Sequence, residues 1–180
     1  MAEICLRYLL MEDLEYDKDR LGALTGCFLE YSAAHWSDHA RNMALTSIQE
    51  ETDRVYRLYD ISGKPFSMWF PIFWKAVRPY KKAPVISVLH LAALNGHEQE
   101  VYAILSVDKS DVNRPDGTKS YPVIWASLNG HDKITQRLLE RGADVNAQGR
   151  HYGNALQAAC FGGYDKIAQM LLERGADIKA

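Results

Sequence analysis

The sequence predicts an all-α chain in which a helical N-terminal segment precedes a solenoid of helix-turn-helix repeats joined by short hairpin loops. Three observations carry that prediction. Leu138-Leu139-Glu140-Arg141-Gly142-Ala143-Asp144 returns as Leu171-Leu172-Glu173-Arg174-Gly175-Ala176-Asp177, a spacing of 33 from Gly142 to Gly175. Leu94-Asn95-Gly96-His97 returns as Leu128-Asn129-Gly130-His131 after 34 residues, and as Phe161-Gly162-Gly163-Tyr164 after a further 33. The small pairs Ala92-Ala93, Ala126-Ser127 and Ala158-Ala159 recur in step and let neighbouring helices approach closely. A fixed period of this size marks supersecondary units that bury their apolar faces only by stacking on one another.

Composition bounds the function classes. The 180 residues are 47% hydrophobic and 24% charged, an ordinary globular balance. The formal net charge of -2 is shared by two nearly neutral halves, so neither half is built for nucleic acid. Cys5, Cys27 and Cys160 are odd in number and far apart, which fits reduced thiols inside the cell, and all three are read as buried or neutral. The apolar run Ile4 to Leu10 is interrupted by Arg7 and preceded by Glu3, wrong for a signal peptide. No stretch approaches the ~18 apolar residues of a membrane span. The expected compartment is the cytoplasm, and nuclear residence is compatible with the same facts.

The first half, residues 1–83, is read as a helical linker or capping segment. Glu3 to Leu10 forms a short helix with Ile4, Cys5, Tyr8 and Leu9 on adjoining faces, and the acidic run Glu12 to Asp17 is a solvated loop. Leu21, Leu24, Phe28, Tyr31, His35 and His39 step by three or four, one face of a second helix ending near Arg41, with Gly22 and Gly26 weakening its first turns. Ser47-Ile48-Gln49-Glu50 is a capping box opening a third helix, in which Ile48, Val55 and Leu58 face inward and which Gly63-Lys64-Pro65 ends. Phe66 to Trp74 then concentrates aromatic residues as nowhere else in the chain. It is either a plug over the apolar end of the first repeat, which a terminal repeat requires, or a ligand or partner surface. Lys75, Arg78, Lys81 and Lys82 form a small basic patch beside it, either solvated or facing an anionic lipid or acidic partner.

The second half, residues 84–180, divides at about 84–113, 114–146 and 147–180. In the middle unit Pro122 presets the first helical φ, Gly130 permits the turn, and Asp132 to Arg141 forms the second helix, which Gly142 ends in a left-handed conformation. Ser87 and Asn154 are expected to cap the first helices of their units through side-chain oxygens, whereas Tyr121 needs another cap. Leu105, Leu139 and Leu172 are expected to fill the layer between repeats. Unit one lacks the closing glycine, carrying Ser106-Val107-Asp108-Lys109-Ser110, and should be looser there. The chain stops at Ala180, where a further hairpin would begin, so a fragment or truncated product is expected.

These segments resemble the ankyrin repeat, with its Thr-Pro-Leu-His-x-Ala-Ala opening, Gly-His turn and Gly-Ala-Asp-x-Asn close. The opening tetrapeptide departs in every unit: Ser87-Val88-Leu89-His90, Tyr121-Pro122-Val123-Ile124 and Asn154-Ala155-Leu156-Gln157. The resemblance implies a non-catalytic protein-protein interaction module that binds a protein partner in the concave groove and at the hairpin tips. Carried over by position, the groove residues are Leu91, Leu94, Asn95, Trp125, Leu128, Asn129, Ala158 and Phe161. The hairpin residues are Arg114, Asp116, Lys119, Arg150, His151 and Tyr152. Trp125 is either the anchor of that groove or a packing residue between adjacent first helices.

In the first half, Ile4 to Leu9 and Leu29-Glu30-Tyr31-Ser32-Ala33-Ala34-His35-Trp36-Ser37-Asp38-His39-Ala40-Arg41 are similar to the segment joining the NACHT nucleotide-binding module to ankyrin repeats in large fungal receptor-like proteins. That resemblance implies an alternative role as the ligand-sensing arm of an NTPase switch, fused to or associated with a nucleotide-binding module. No phosphate-binding loop is present here, since Pro65 follows Gly63-Lys64 and Leu58 stands where its first glycine belongs.

The residues give no enzyme, no cofactor site and no metal site. His35 and His39 lie one helical turn apart with Cys27 two turns earlier, but position 36 is Trp rather than the glutamate of a zinc protease. The pair is read as structural. His90, His97 and His131 occupy the repeat's own turn positions, no serine sits in a nucleophile elbow, and Glu50-Glu51 is surface charge.

Overall fold

Phe66, Trp69, Phe70, Phe73 and Trp74 recur at three- and four-residue steps, the period of one helical face. A computed structural model, which describes residue 9 and residues 31–38, 57–79, 82–107 and 112–178, places them on α1 (Lys64–Val77). Trp69, Phe70, Phe73 and Trp74 are buried. The aromatic stretch is therefore the core of its own unit rather than an exposed surface. Trp69 meets Trp36 edge-on at 5.1 Å between ring centroids, Trp36 meets Tyr59 at 5.8 Å, and Phe66 stacks on Phe70 at 4.7 Å. Edge-to-face and offset contacts of this kind suit the quadrupoles of the rings and add to the area they bury.

Two expectations for this half change. Residues 31–38 are helical, but Tyr31 and His35 lie on the exposed side, with their rings 4.6 Å apart. The buried side carries Ser32, Ala33, Trp36 and Ser37. Trp36 decides the rotation, because its indole has the most apolar area to withdraw from water. The third helix gives way at residues 59–63 to a turn, in which Asp60 Oδ1 accepts from the Ser62 amide at 3.1 Å and hydroxyl at 2.6 Å. Gly63 N-caps α1, and Pro65 stands in its first turn. Leu58 is buried as expected, and so is Leu9. Cys27, His39 and the Ser47-Glu50 capping box lie outside the described residues, as do Ile48, Val55 and the remaining expectations for 1–30.

The chain divides into two units, Met1–Ala83 and Pro84–Ala180. The second is built from α2 (Val88–Asn95) and α3 (Glu98–Val107), α4 (Pro122–Leu128) and α5 (Asp132–Glu140), and α6 (Ala155–Gly162) and α7 (Asp165–Glu173). Among the described residues the chain is all-helical, with one isolated antiparallel bridge between Gly149 and Gly153. The first helices α2, α4 and α6 pack in sequence, as do the second helices α3, α5 and α7. Ala92, Ala93, Ala126, Ser127, Ala158 and Ala159 are fully buried, which is the close approach their size allows. Gly96, Gly130 and Gly163 turn the chain between first and second helices with φ of 77°, 77° and 74°. At Gly130 a side chain would also run into the ring of Tyr164 from the next repeat.

In the second helices the buried stripe is Val101 and Leu105, Ile134 and Leu138, Ile167 and Leu171. Leu139 is half-buried and Leu172 is 44% exposed. The expectation that Leu139 and Leu172 join Leu105 is thus off by one position: the true layer repeats every 33 residues, 105 to 138 to 171. Polar ladders have the same period. Asn113 donates to Gly142 O at 2.8 Å and accepts from the Asp144 amide at 2.8 Å, and Asn146 makes the same pair with Gly175 O at 3.2 Å and the Asp177 amide at 2.7 Å. His131 donates from Nε2 to Leu94 O at 3.1 Å, tying repeat two to repeat one.

The caps divide. Asn154 forms a capping box with Gln157, as its side chain suggests. Ser87 holds the N-cap position, but its hydroxyl hydrogen-bonds to His90 Nδ1 at 2.7 Å and caps no amide. Tyr121 caps nothing with its side chain, and Pro122, which has no amide hydrogen, opens α4 instead. The looser close expected for unit one falls at residues 108–110, outside the described residues.

Candidate protein-binding face

The hairpin of residues 116–120 is organised by one carboxylate. Its backbone closes through Asp116 N to Ser120 O at 2.8 Å and Lys119 N to Asp116 O at 2.9 Å. Asp116 Oδ1 accepts from the Thr118 amide at 2.7 Å, the Thr118 hydroxyl at 2.6 Å and the Ser120 amide at 2.9 Å. Oδ2 accepts from Trp125 Nε1 at 2.8 Å. A buried acceptor of four hydrogen bonds is satisfied internally and stabilises the hairpin. Trp125, 2% exposed, is fixed by the same contact to the hairpin of its own repeat. Its burial and this bond are compatible with the packing reading of Trp125.

The equivalent hairpin one repeat on closes through Gly149 N to Gly153 O at 2.8 Å. Gly149 sits at a close approach, where a Cβ would lie 2.9 Å from Ile124 Cδ1 of α4 and 3.1 Å from Gly153 O. Tyr152 is half-buried with its ring 5.9 Å from that of Trp125 and 6.2 Å from that of Phe161, which is 80% exposed. An aromatic line thus runs from the interior at Trp125 to solvent at Phe161. Arg150 and His151 flank it on the hairpin tip and are exposed. Lys119, exposed on the neighbouring tip, has φ of 60°, the only positive φ at a non-glycine position among the described residues. A lysine there costs on the order of 1 kcal/mol or more in backbone strain.

The two sides of the repeats differ in charge. Helices α2, α4 and α6 contain no Asp, Glu, Lys or Arg, and the one carboxylate between residues 112 and 121 is the enclosed Asp116. What the hairpins expose is cationic: Arg114, Lys119 and Arg150. The second helices carry most of the acids and pair two of them across repeats, Lys133 with Glu98 at 3.2 Å and Lys166 with Asp132, while Asp144 and Asp177 lie exposed in the loops that follow α5 and α7. The hydrogen bond from Lys166 holds the Asp132 carboxyl below its usual range. On that outer side Tyr102, Lys133, Gln136, Arg137 and Glu140 line an open hollow of about 440 Å³, where Arg137 lies 5.1 Å over the Tyr102 ring.

Of the residues expected at the groove and hairpins, Leu91, Leu94, Asn95, Asp116, Trp125, Leu128 and Ala158 are buried. Arg114, Lys119, Arg150, His151 and Phe161 are exposed, and Asn129 and Tyr152 are half-buried. Cys160, read as buried or neutral, is exposed beside Phe161, because α6 turns its 157 and 160–162 edge outward. Two features escaped the sequence reading: the Asp116 to Trp125 bond, which leaves no periodic trace, and the Asn113 and Asn146 ladder, which their 33-residue spacing could have shown. Among the described residues no cluster of His, Cys, Asp or Glu could hold a metal ion. None of the described helices is long and apolar enough to cross a membrane.

The family model for ankyrin repeats (3 copies) matches residues 89–180. The chain belongs to the ankyrin-repeat family. It is also similar to a palmitoyltransferase, akr1, of Schizosaccharomyces pombe, at 44% identity over 71 residues. That stretch is 39% of this chain and 10% of the enzyme, so the chain spans a small part of the length of this curated relative. The family match lies in the second half and shows nothing of the NACHT resemblance of the first. The ankyrin assignment agrees with the stacked helix pairs, the left-handed glycines and the hairpins.

Proposed function

We propose that the chain is a non-catalytic protein-interaction module that seats a protein partner on the hairpin tips and the open edge of the first helices of its ankyrin repeats. The observation that carries this reading is the exposed Phe161 beside Tyr152, flanked by the cationic tips, on first helices that carry no charged residue. Contiguous exposed apolar surface rimmed by polar residues marks an interaction site, where a single exposed apolar side chain would not. The yeast relative's name assigns palmitoyl transfer to that enzyme, whose catalytic domain is not covered by the match, so the likeness supports recognition rather than transfer. Residues 1–83 are read as a helical segment appended to repeats at 84–180, and the cytoplasm as the site of action. The reading of this chain as the sensing arm of an NTPase switch rests on the first-half resemblance alone.

The test is quantitative capture of partners by the full chain, by Phe161→Ala with Tyr152→Ala, and by Gln169→Ala on the outer side. Partners lost only with the first pair support the proposed face. Equal retention by both variants removes it.

A further inference from the structure

Resting on that reading, we infer that the partner presents an extended acidic segment with one large apolar side chain, its carboxylates on Lys119 and Arg150 and the apolar group on Phe161 and Tyr152. Four observations converge. The tips of two successive hairpins expose Lys119 and Arg150, and among the described residues neither is held in an ion pair. Asp116, the acid nearest Lys119, is buried with its oxygens taken by four donors, and Asp144, the acid nearest Arg150, turns its Oδ1 to the Asn146 amide at 2.9 Å; among the described residues neither is ion-paired with a tip. Lys119 keeps a left-handed φ of 60° that glycine or asparagine would adopt at less cost, which points to its side chain as the reason it stands there. Phe161 is 80% exposed within ring contact of Tyr152, an apolar step at the edge of the cationic tips.

Geometry sets the spacing. Stacked helices lie roughly 10 Å apart, so successive tips are separated by about three residues of extended peptide at ~3.3 Å each. The segment therefore carries two acidic residues about three positions apart, with Phe, Leu or Trp beyond the second. Opposite charges on this side, facing a partner across a rim open to water, speed encounter and exclude basic partners, while the apolar anchor supplies the residence time. A nucleic acid strand is less suited: two or three cations release few counterions, and the acids of the outer helices repel a long polyanion.

The experiment selects random peptides of about twelve residues, long enough at ~3.3 Å each to cross both hairpins and reach Phe161, on the immobilised full chain. Selected peptides are then measured by fluorescence anisotropy at low and physiological salt. Expected are sequences rich in Asp and Glu around one apolar residue, weakened roughly tenfold by Phe161→Ala and by Lys119→Asn with Arg150→Gln, with only the second loss shrinking as salt rises. Lys119→Asn relieves the backbone, so its loss of binding cannot be ascribed to unfolding. Neutral or basic peptides that still depend on Phe161 would overturn the acidic partner and leave the face standing. Acidic peptides indifferent to all three substitutions, or no selection at all, would overturn both. Tighter binding of a uridine oligonucleotide or of phosphatidylserine vesicles, lost in the Lys119 and Arg150 variant, would also overturn the acidic partner.

Discussion

Among the described residues of the first unit the interior is an aromatic cluster, with Trp36, Tyr59, Trp69, Phe70 and Phe73 meeting at ring distances between 5.1 and 6.4 Å and no position equivalent to another. In the second unit the interior repeats itself: Leu105, Leu138 and Leu171 in one layer, alanine pairs in another, and Asn113 and Asn146 making the same two bonds one repeat apart. The difference teaches where stability resides. A cluster of unlike rings concentrates its burial in a few large side chains, so each is hard to replace. Stacked repeats spread theirs over like interfaces, each moderate and each dependent on its neighbours.

The largest expected effect tests the concentrated core. Trp69→Ala should cost about 3–5 kcal/mol, read from urea unfolding by fluorescence of the remaining tryptophans. A cost below about 1 kcal/mol would mean that the cluster is not the core it resembles. In the repeats, Leu138→Ala should cost about 3 kcal/mol and Leu139→Ala clearly less, since only the first is fully buried. Equal costs would undo the 105, 138, 171 register. Smaller still, Asn146→Ala should lose about 1–2 kcal/mol with its two bonds, and Asn113→Ala a similar amount. Thermal melts of the pair giving unlike shifts would show that the two repeat junctions are not equivalent.

The smallest effects are electrostatic. Burial pushes the Glu100 carboxyl above its ordinary value of 4.5. The folded chain thus binds that proton more tightly, and stability from it is full below pH 4.5 and declines as pH rises through the raised value. Glu100→Gln should therefore melt higher than the parent at neutral pH, with the advantage fading in acid; no advantage at pH 7 would contradict the desolvation. Lys166→Ala should cost only ~0.2–1 kcal/mol, because the pair with Asp132 is largely solvated. That difference is present above the ordinary carboxyl range and disappears as pH falls through the depressed value of Asp132. A difference that persists in strong acid would locate the lysine's contribution in packing.

Much of the chain is legible in its sequence: the helix pairs, the 33-residue step, the left-handed glycines, the small residues between first helices and the Asn154 cap. Each depends on local backbone preference or on equivalence between repeats, and both are written residue by residue. Equivalence does not say which way a helix faces. Leu138 and Leu139 are about 100° apart on one helix, both satisfy the repeat pattern, and only the neighbouring helices select the first. For the same reason Trp36 rather than Tyr31 went inside, a choice made by the aromatic cluster waiting for it. The candidate face divides similarly. Its positions follow from the period, but whether a position is buried or exposed was decided in three dimensions, where the Trp125 indole reached Asp116 of the hairpin and Phe161 met solvent.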